Sequence, residues 1–506
     1  MITGKTLIEL GLKPSSRFKE YLEIANHKLA AGQSWESIKK DILDDAAKEP
    51  PPKIKMRTQP LPINLAVAPE NELEQQNVED AKRKIGELSM VPVVTNAALM
   101  PDTCPAGSEY ASIPVGGAIT AGRHILPAAH SADIACSMCA TVFESGSSTS
   151  TLLNHLSAST LFGPFSRQKG EEIYHPVLDE NVWGNQFLKG LEYTAKRFLG
   201  TQGDGNHFAY LGTMHVDSKL LESLESVGYY EHVKALSPLK GKTLQTLVTH
   251  HGSRKLGADL YKRGMIEAEK ETNAIAQGVP KSGYWLNIDG QTGKDYWEAL
   301  QYIGRWTAAN HAIIHDGFLS RAGAEPITRI KNDHNFVWEK DNVFFHGKGA
   351  TPAWKDEQGR PKLGIIPLNM GREILLVLGG NNEQFLSFAP HGAGRNQSRT
   401  DTLKPYIDPA TGKADPKKVE EAIKAATAGL EIRWGSGKAD ISESPFGYKD
   451  ASKIIDQLQR FELATLIGAV RPRGCMMAGE FPTPWKEQKE AKKKAKETQA
   501  EQDMEL

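Results

Sequence analysis

Phe388–Arg399 reads FAPHGAGRNQSR, in which His391 is followed at once by Gly392, Ala393 and Gly394, and then by Arg395, Ser398 and Arg399. Glycines on both sides of a small residue leave backbone N–H groups free to approach an anionic oxygen. Two arginines and a serine add charge-assisted donors suited to phosphate. An imidazole held in such a nest can act as a base, a metal ligand or a nucleophile toward phosphorus. The same segment also reads as a glycine-rich turn whose histidine is satisfied by backbone.

Other loops pair a strong ligand type with glycine. Asp133 and Cys136 stand three apart in DIAC, a spacing that lets a turn point carboxylate and thiolate at one ion. Asn206 and His207 follow the glycine-punctuated TQGDG, His250 ends the run TLQTLVTH just before Gly252-Ser253-Arg254, and His334-Asn335 lie in NDHNF. Carboxylate, thiolate and several imidazoles together suit Mn²⁺ or Zn²⁺ better than Ca²⁺ or Mg²⁺. Any one of these histidines alone reads as a structural residue; as a set they fall at strand ends and in loops, where sites are assembled. Three patterns compete with this set. Cys136 and Cys139 form C-x₂-C without the second pair a zinc ribbon needs. His311 and His315 stand at i, i+4 without an HE-x-x-H glutamate, which favours a packed or capped pair. His250 and His251 are neighbours in a strand, so only one of them can face the site.

The 506 residues can bury a large core, and length alone allows about two to four domains. A net charge of -1 excludes a globally basic nucleic-acid binder, so any phosphate-rich partner must be met by a local basic patch. Four cysteines are too few for a disulfide scaffold. The first residues, MITGKTLIELGLKPSS, lack a secretory apolar core, and no run approaches membrane-spanning length. The chain reads as cytoplasmic and independent of membranes.

Elements that could position these residues follow from periodicity. Phe18, Tyr21, Leu22, Ala25 and Leu29 mark one helix face, and Trp35, Ile38, Ile42 and Ala46 a second, stopped by Pro50-Pro51-Pro52. This hairpin, within an extension of residues 1–60, is too small to bury much alone and should pack on the body or on a protein partner. A body over 61–484 should hold a polar helix at 71–88, a strand at 91–100, the loop PDTCPAG, strands in SIPVGGAIT and ATVFES, and a buried strand at 243–250. Helices are expected at 258–276, 295–315, 419–429 and 451–467, with strands in NVFFHGKGATPA, LGIIPLNMG and REILLVLGG. From 485 the lysine-rich sequence has almost no apolar residues and reads as a solvated tail. The fold class is mixed α/β, one large domain with a short helical segment appended, and without a dinucleotide-binding fingerprint.

SADIACSM, GTQGDGNHF, THHGSRKLG, DHNF, FHGKGATPA, LNMG and PHGAGRNQSR occur in the order of the signature loops of the RtcB family of RNA ligases, and MPDTCPAG is similar to that family's MPDVHPG. The resemblance runs from about residue 70 to 475. It implies GTP- and Mn²⁺-dependent joining of an RNA 3′-phosphate or 2′,3′-cyclic phosphate to a 5′-hydroxyl end, on broken RNA of the tRNA or rRNA class. It makes Asp133, Cys136, His207, His250 and His334 ligands of one or two Mn²⁺ ions. It makes His391 the nucleophile that carries GMP, with Asn206, Phe208, Gly392, Ala393, Gly394, Arg395 and Tyr448 around the nucleotide. Arg254, Lys348, Arg395 and Arg399 would hold phosphates. Cys139 should have left the ion's reach.

The sequence departs from the family pattern in particular places. DIGCGM appears as Asp133-Ile134-Ala135-Cys136-Ser137-Met138 without its glycines, and HRKGATRA appears as residues 346–353 without two arginines. Tyr210 stands where the family has an acid that selects guanine, and Cys104 stands for the histidine of MPDVHPG. The GVVKG-like lysine is missing from the segment 468–474. These changes point to a paralogous RNA-repair branch. The rival readings are a metal-dependent cyclic phosphodiesterase that no longer seals, and a non-catalytic RNA end-binding protein.

Overall fold

Apolar runs, most of them buried on both faces, pair into two main sheets. The computed structural model describes residues 2–12, 17–46, 54–105 and 112–481. The larger sheet has eight strands: Pro326–Asp333, Ser137–Phe143, Thr243–His251, Phe208–His215, Ala464–Met477, Ile374–Gly379 and Leu363–Pro367 in spatial order, with Glu431–Trp434 added alongside Ala464–Met477. Only that added pair is parallel; the other neighbours in the sheet run antiparallel. The smaller sheet orders Ile63–Leu65, Val94–Cys104, Val115–Ala121, Val343–Lys348 and Asn335–Lys340. The fold is thus mixed α/β, with largely antiparallel pairing.

The two-residue period of a strand decides what each face of the large sheet meets. Met138, Ala140, Val142 and Val248 join a core with Leu220, Leu224 and Ile467. Thr141, Phe143, Thr249 and His251 turn the other way, toward the helix Gln291–Ala322. That helix buries Tyr296, Tyr302 and Trp306 and stops at Gly323, which adopts the left-handed conformation of a C-terminal cap. The sheets are joined at one residue: the strand Pro326–Asp333 ends, His334 follows, and Asn335–Lys340 enters the smaller sheet.

Two expectations are corrected. The strand expected at 91–100 runs Val94–Cys104, so Pro101–Cys104 are sheet residues rather than loop; Ala106 and Gly107 of PDTCPAG lie outside the described residues. The helix expected over 451–467 ends at Arg460, and Ala464–Met477 is a central strand. A turn with Glu462 at φ 50° separates them, and a bulge between Pro472 and Gly474 absorbs the proline that disguises the strand in sequence.

The N-terminal segment holds Gly4–Glu9 as well as the expected helices, found at Phe18–Ala30 and Trp35–Ala46. Leu7 from the added helix closes a cluster with Tyr21, Ala25, Ile38 and Ile42, and no residue of the body belongs to it among the described residues. The triple proline and the tail from 485 lie outside the described residues. Residues from Ile54 onward pack on the body, Ile54 bridging to Ala276.

Candidate active site

The site forms where the two sheets meet. The loop before Ser137–Phe143 is stitched to the crossing point: Ala135 N–H donates to Asn335 O (2.7 Å) and His334 N–H to Cys136 O (3.0 Å). Gly252 lets Asp133 come close, since a Cβ there would lie 2.0 Å from its Oδ1. Cys136 Sγ lies 3.1 Å from His250 Nε2 and 3.6 Å from His207 Nε2. His250 Nε2 is also 3.1 Å from His334 Nε2, and His207 Nε2 is 2.9 Å from Asp133 Oδ2. The five residues form two ligand sets that share Cys136: one with His250 and His334, the other with Asp133 and His207.

The donors fit a transition ion. His250 donates from Nδ1 to Asn206 O (3.2 Å), which leaves its Nε2 as a bare lone pair aimed at the thiol and at His334. Burial pushes the His250 pKa down to about 3 and that of His334 well below the ordinary value, so both imidazoles are neutral and able to ligate. Burial, and then Asp133, pushes the Cys136 thiol well up. Against the upward pull of burial, His207 holds the Asp133 carboxyl well below the usual carboxylate range. His251, the neighbour of His250, stacks on His311 behind the sheet, as the strand period requires.

His391 follows the short strand Phe388–Pro390, and its ring centroid lies 4.8 Å from that of His334. Asp102 Oδ2 accepts from His391 Nδ1 (2.6 Å) and from its backbone N–H (3.1 Å), and Gly349 O lies 2.9 Å from the same Nδ1. The proton is therefore fixed on Nδ1 and the lone pair on Nε2. Asp102 escaped the sequence reading because the segment looked like a loop; an acid beside an apolar strand end was its only signal.

A cavity of ≈ 230 Å³ opens beside His391. Asn206, Phe208, His250, Gly392–Gly394, Arg395, Arg399 and Tyr448 line it, so the expected nucleotide residues are brought together. Its other wall is apolar, from Pro367, Leu368, Met370 and Ile374 to Met477. Gly394 is required there at φ 72°, because a Cβ would lie 2.1 Å from Asp102 O. Glu443, which sequence reasoning missed, is a buried carboxylate that accepts from Tyr448 OH (2.8 Å) and pairs with Arg399 (2.7 Å). Arg395 lies over the Tyr448 ring and donates to Gln397 O (3.1 Å).

Two expected phosphate residues lie outside the cavity lining. Lys348 is not in the cavity wall; its ammonium donates to Ser112 Oγ (2.7 Å) and Ile113 O (3.0 Å), and burial pushes its pKa down to about 8. Arg254 packs behind the ligand set, with Nη1 3.3 Å from His207 Nδ1 and 3.6 Å from Asp204. Tyr210 lines the cavity wall with its hydroxyl donated to the backbone oxygens of Arg372 (3.2 Å) and Val470 (3.3 Å).

The family model described as tRNA-splicing ligase RtcB matches residues 183–478. The chain belongs to the RtcB family. It is 25% identical to the RNA-splicing ligase RtcB of Escherichia coli over 410 residues, which are 74% of this chain and 89% of that protein. It is 25% identical to the tRNA-splicing ligase RtcB of Pyrobaculum aerophilum over 54% of this chain, and 24% identical to that of Aeropyrum pernix over 59%. The chain spans 59% and 64% of the length of those two archaeal proteins. The RtcB match takes in His207, His250, His334 and His391, while Asp102, Asp133 and Cys136 precede it.

Proposed function

We propose that this chain is an RNA ligase that joins a 3′-phosphate or 2′,3′-cyclic phosphate end to a 5′-hydroxyl end through GMP carried on His391. The observation that carries this reading is the His391–Asp102 pair: with the proton held on Nδ1 by a 2.6 Å contact, Nε2 is free to attack beside the thiol–imidazole cluster. The attack forms an N–P bond to the α-phosphorus of GTP and breaks its bond to pyrophosphate. A 3′-phosphate oxygen of RNA then takes the GMP and releases the histidine. The 5′-hydroxyl attacks that 3′-phosphate, and GMP leaves.

Asp133, Cys136, His207, His250 and His334 would hold one or two Mn²⁺ ions, which supply charge neutralisation at the phosphates and a reactive water for opening a cyclic end. Asp102 balances the positive charge that develops on the imidazole. Arg395 and Arg399 would bind phosphate oxygens in exchange for Glu443 and Tyr448. The relatives' names, tRNA-splicing and RNA-splicing ligases, support an RNA substrate. The departures from the family pattern support a repair role.

The test is incubation with each α-labelled nucleoside triphosphate and Mn²⁺, followed by a denaturing gel. A label on the wild-type protein that is stable to alkali, labile to acid and absent from His391→Ala is expected. A cyclic phosphodiesterase without sealing is the second reading, favoured by Tyr210, whose hydroxyl is bound to backbone and leaves no carboxylate at that point of the wall. It predicts opening of cyclic ends with no label from any nucleotide.

A further inference from the structure

Behind the large sheet, on the face turned away from the cleft, Cys139, His311 and His315 form a third cluster of ligand types, all buried. The hydrogen bonds around the two imidazoles decide what the cluster does. Arg329 Nε donates to Thr141 Oγ1 (3.1 Å), and Thr141 gives its own proton to His315 Nδ1 (2.7 Å). His315 then donates from Nε2 to Thr249 Oγ1 (2.8 Å), and Thr249 donates to His311 Nδ1 (2.7 Å). His311 donates from Nε2 to Ser137 Oγ (3.1 Å), and Ser137 donates to the carbonyl of Ala135 (3.0 Å). The Ala135 end fixes this order: a carbonyl can only accept, so Ser137 spends its one proton there, and each neutral ring must then donate on the side toward Ser137 and accept on the side toward Arg329. Every ring nitrogen is used, in one tautomer each, and burial keeps both rings neutral. A metal ion would have to break this chain, whereas in the cleft His250 Nε2 faces only the Cys136 thiol and His334 Nε2, themselves ligand types.

The chain ends at a strained residue. Ala135 holds φ 55°, the left-handed region that a side chain disfavours, and it lies between the two ligand residues Asp133 and Cys136. Its N–H is held by Asn335 from one side and its carbonyl by Ser137 from the other.

We propose that the Arg329–Thr141–His315–Thr249–His311–Ser137 chain is a positioning device that holds the Ala135 peptide in its left-handed turn, and so keeps Cys136 and Asp133 aimed at the metal. The inference rests on the reading of Cys136 as a ligand. His311 and His315 touch no substrate; they act through the loop.

The test is Mn²⁺ titration of the full-length protein by calorimetry, with thermal unfolding in parallel. His311→Leu should bind Mn²⁺ about 10- to 100-fold more weakly, the usual cost of losing a group behind a ligand. Ser137→Ala, a smaller change, should move in the same direction. His311→Gln, which can both donate and accept, should bind close to wild type. Ala135→Gly removes the conformational strain, so it should restore most of the binding lost in His311→Leu; a merely structural histidine would show no such specific rescue. Wild-type binding in both His311→Leu and Ser137→Ala, or no rescue by Ala135→Gly, would overturn the proposal. So would a tightly held metal equivalent that Cys139→Ser removes, since the histidines would then be ligands. If wild type binds no Mn²⁺ at all, the reading of the cleft fails and the proposal falls with it, a result distinct from intact binding in the variants.

Discussion

His391 has one nitrogen committed and one free, and the carboxylate of Asp102 makes the difference. Asp102→Asn keeps the shape but removes the charge that would balance a phosphorylated imidazole. Its rate of GMP-adduct formation should fall on the order of 10²-fold or more, with little change in unfolding temperature. Adduct formation at the wild-type rate would show that the histidine needs no carboxylate. The two nearby cysteines should separate cleanly. Cys136→Ser should lose Mn²⁺ binding and the adduct, while Cys139→Ser should retain both, because Cys139 faces the helix Gln291–Ala322 with His311 and His315. Because burial raises the Cys136 thiol, the metal-free residue is protonated at neutral pH, and binding an ion expels that proton. Affinity should therefore rise with pH, by about tenfold per unit for one proton released, which calorimetry in two buffers would measure. The five residues that meet in the cleft were legible as a set because cysteine, histidine and aspartate gathered at strand ends and in loops are uncommon as structural residues. Asp102 and Glu443 were not, because a lone acid carries no signal until its partner, almost 300 residues away for Asp102, is folded against it.

At the scale of elements, amphipathic helices could be read closely: the 71–88 helix is found at Glu72–Ser89 behind its Asn71 cap. The failures lie where local pattern and tertiary pairing disagree. Ile454 and Leu458 carry a helical period that Leu463-Ala464-Thr465-Leu466-Ile467 extends by chance, yet Ala464 opens a strand because Ala464–Leu466 pair with Ile374–Gly379 and the same strand goes on to pair with Phe208–His215 from Val470. Close packing between elements also explains why the glycine nest is fixed. In Gly394→Ala the new methyl would meet the carbonyl of Asp102, and the strand Val94–Cys104 and the 391–394 loop would have to part. The expected loss is about 1–3 kcal/mol of stability, together with the adduct, read by denaturant unfolding and labelling. Unchanged stability would mean that the loop relocates freely.

For the whole molecule, the N-terminal helices should choose substrate rather than perform chemistry, because their cluster contributes no ligand to the cleft. A chain beginning at Ile54, which preserves the bridge to Ala276, should still form the adduct while sealing its natural RNA less well. Loss of the adduct in such a folded chain would disprove this.

The position of His334, between the last residue of one sheet and the first of the other, has a mechanical consequence. An ion held there would tie His334 to Cys136 and His250, which belong to the larger sheet and its leading loop, and would act as a rivet at the seam. Chelation should loosen the seam before it melts either sheet. Bound Mn²⁺ at 100 times its dissociation constant adds about 2.7 kcal/mol of stability per site. With the ion in place, amide hydrogens of both sheets should exchange through one shared opening. After chelation they should exchange at separate rates, the smaller sheet first.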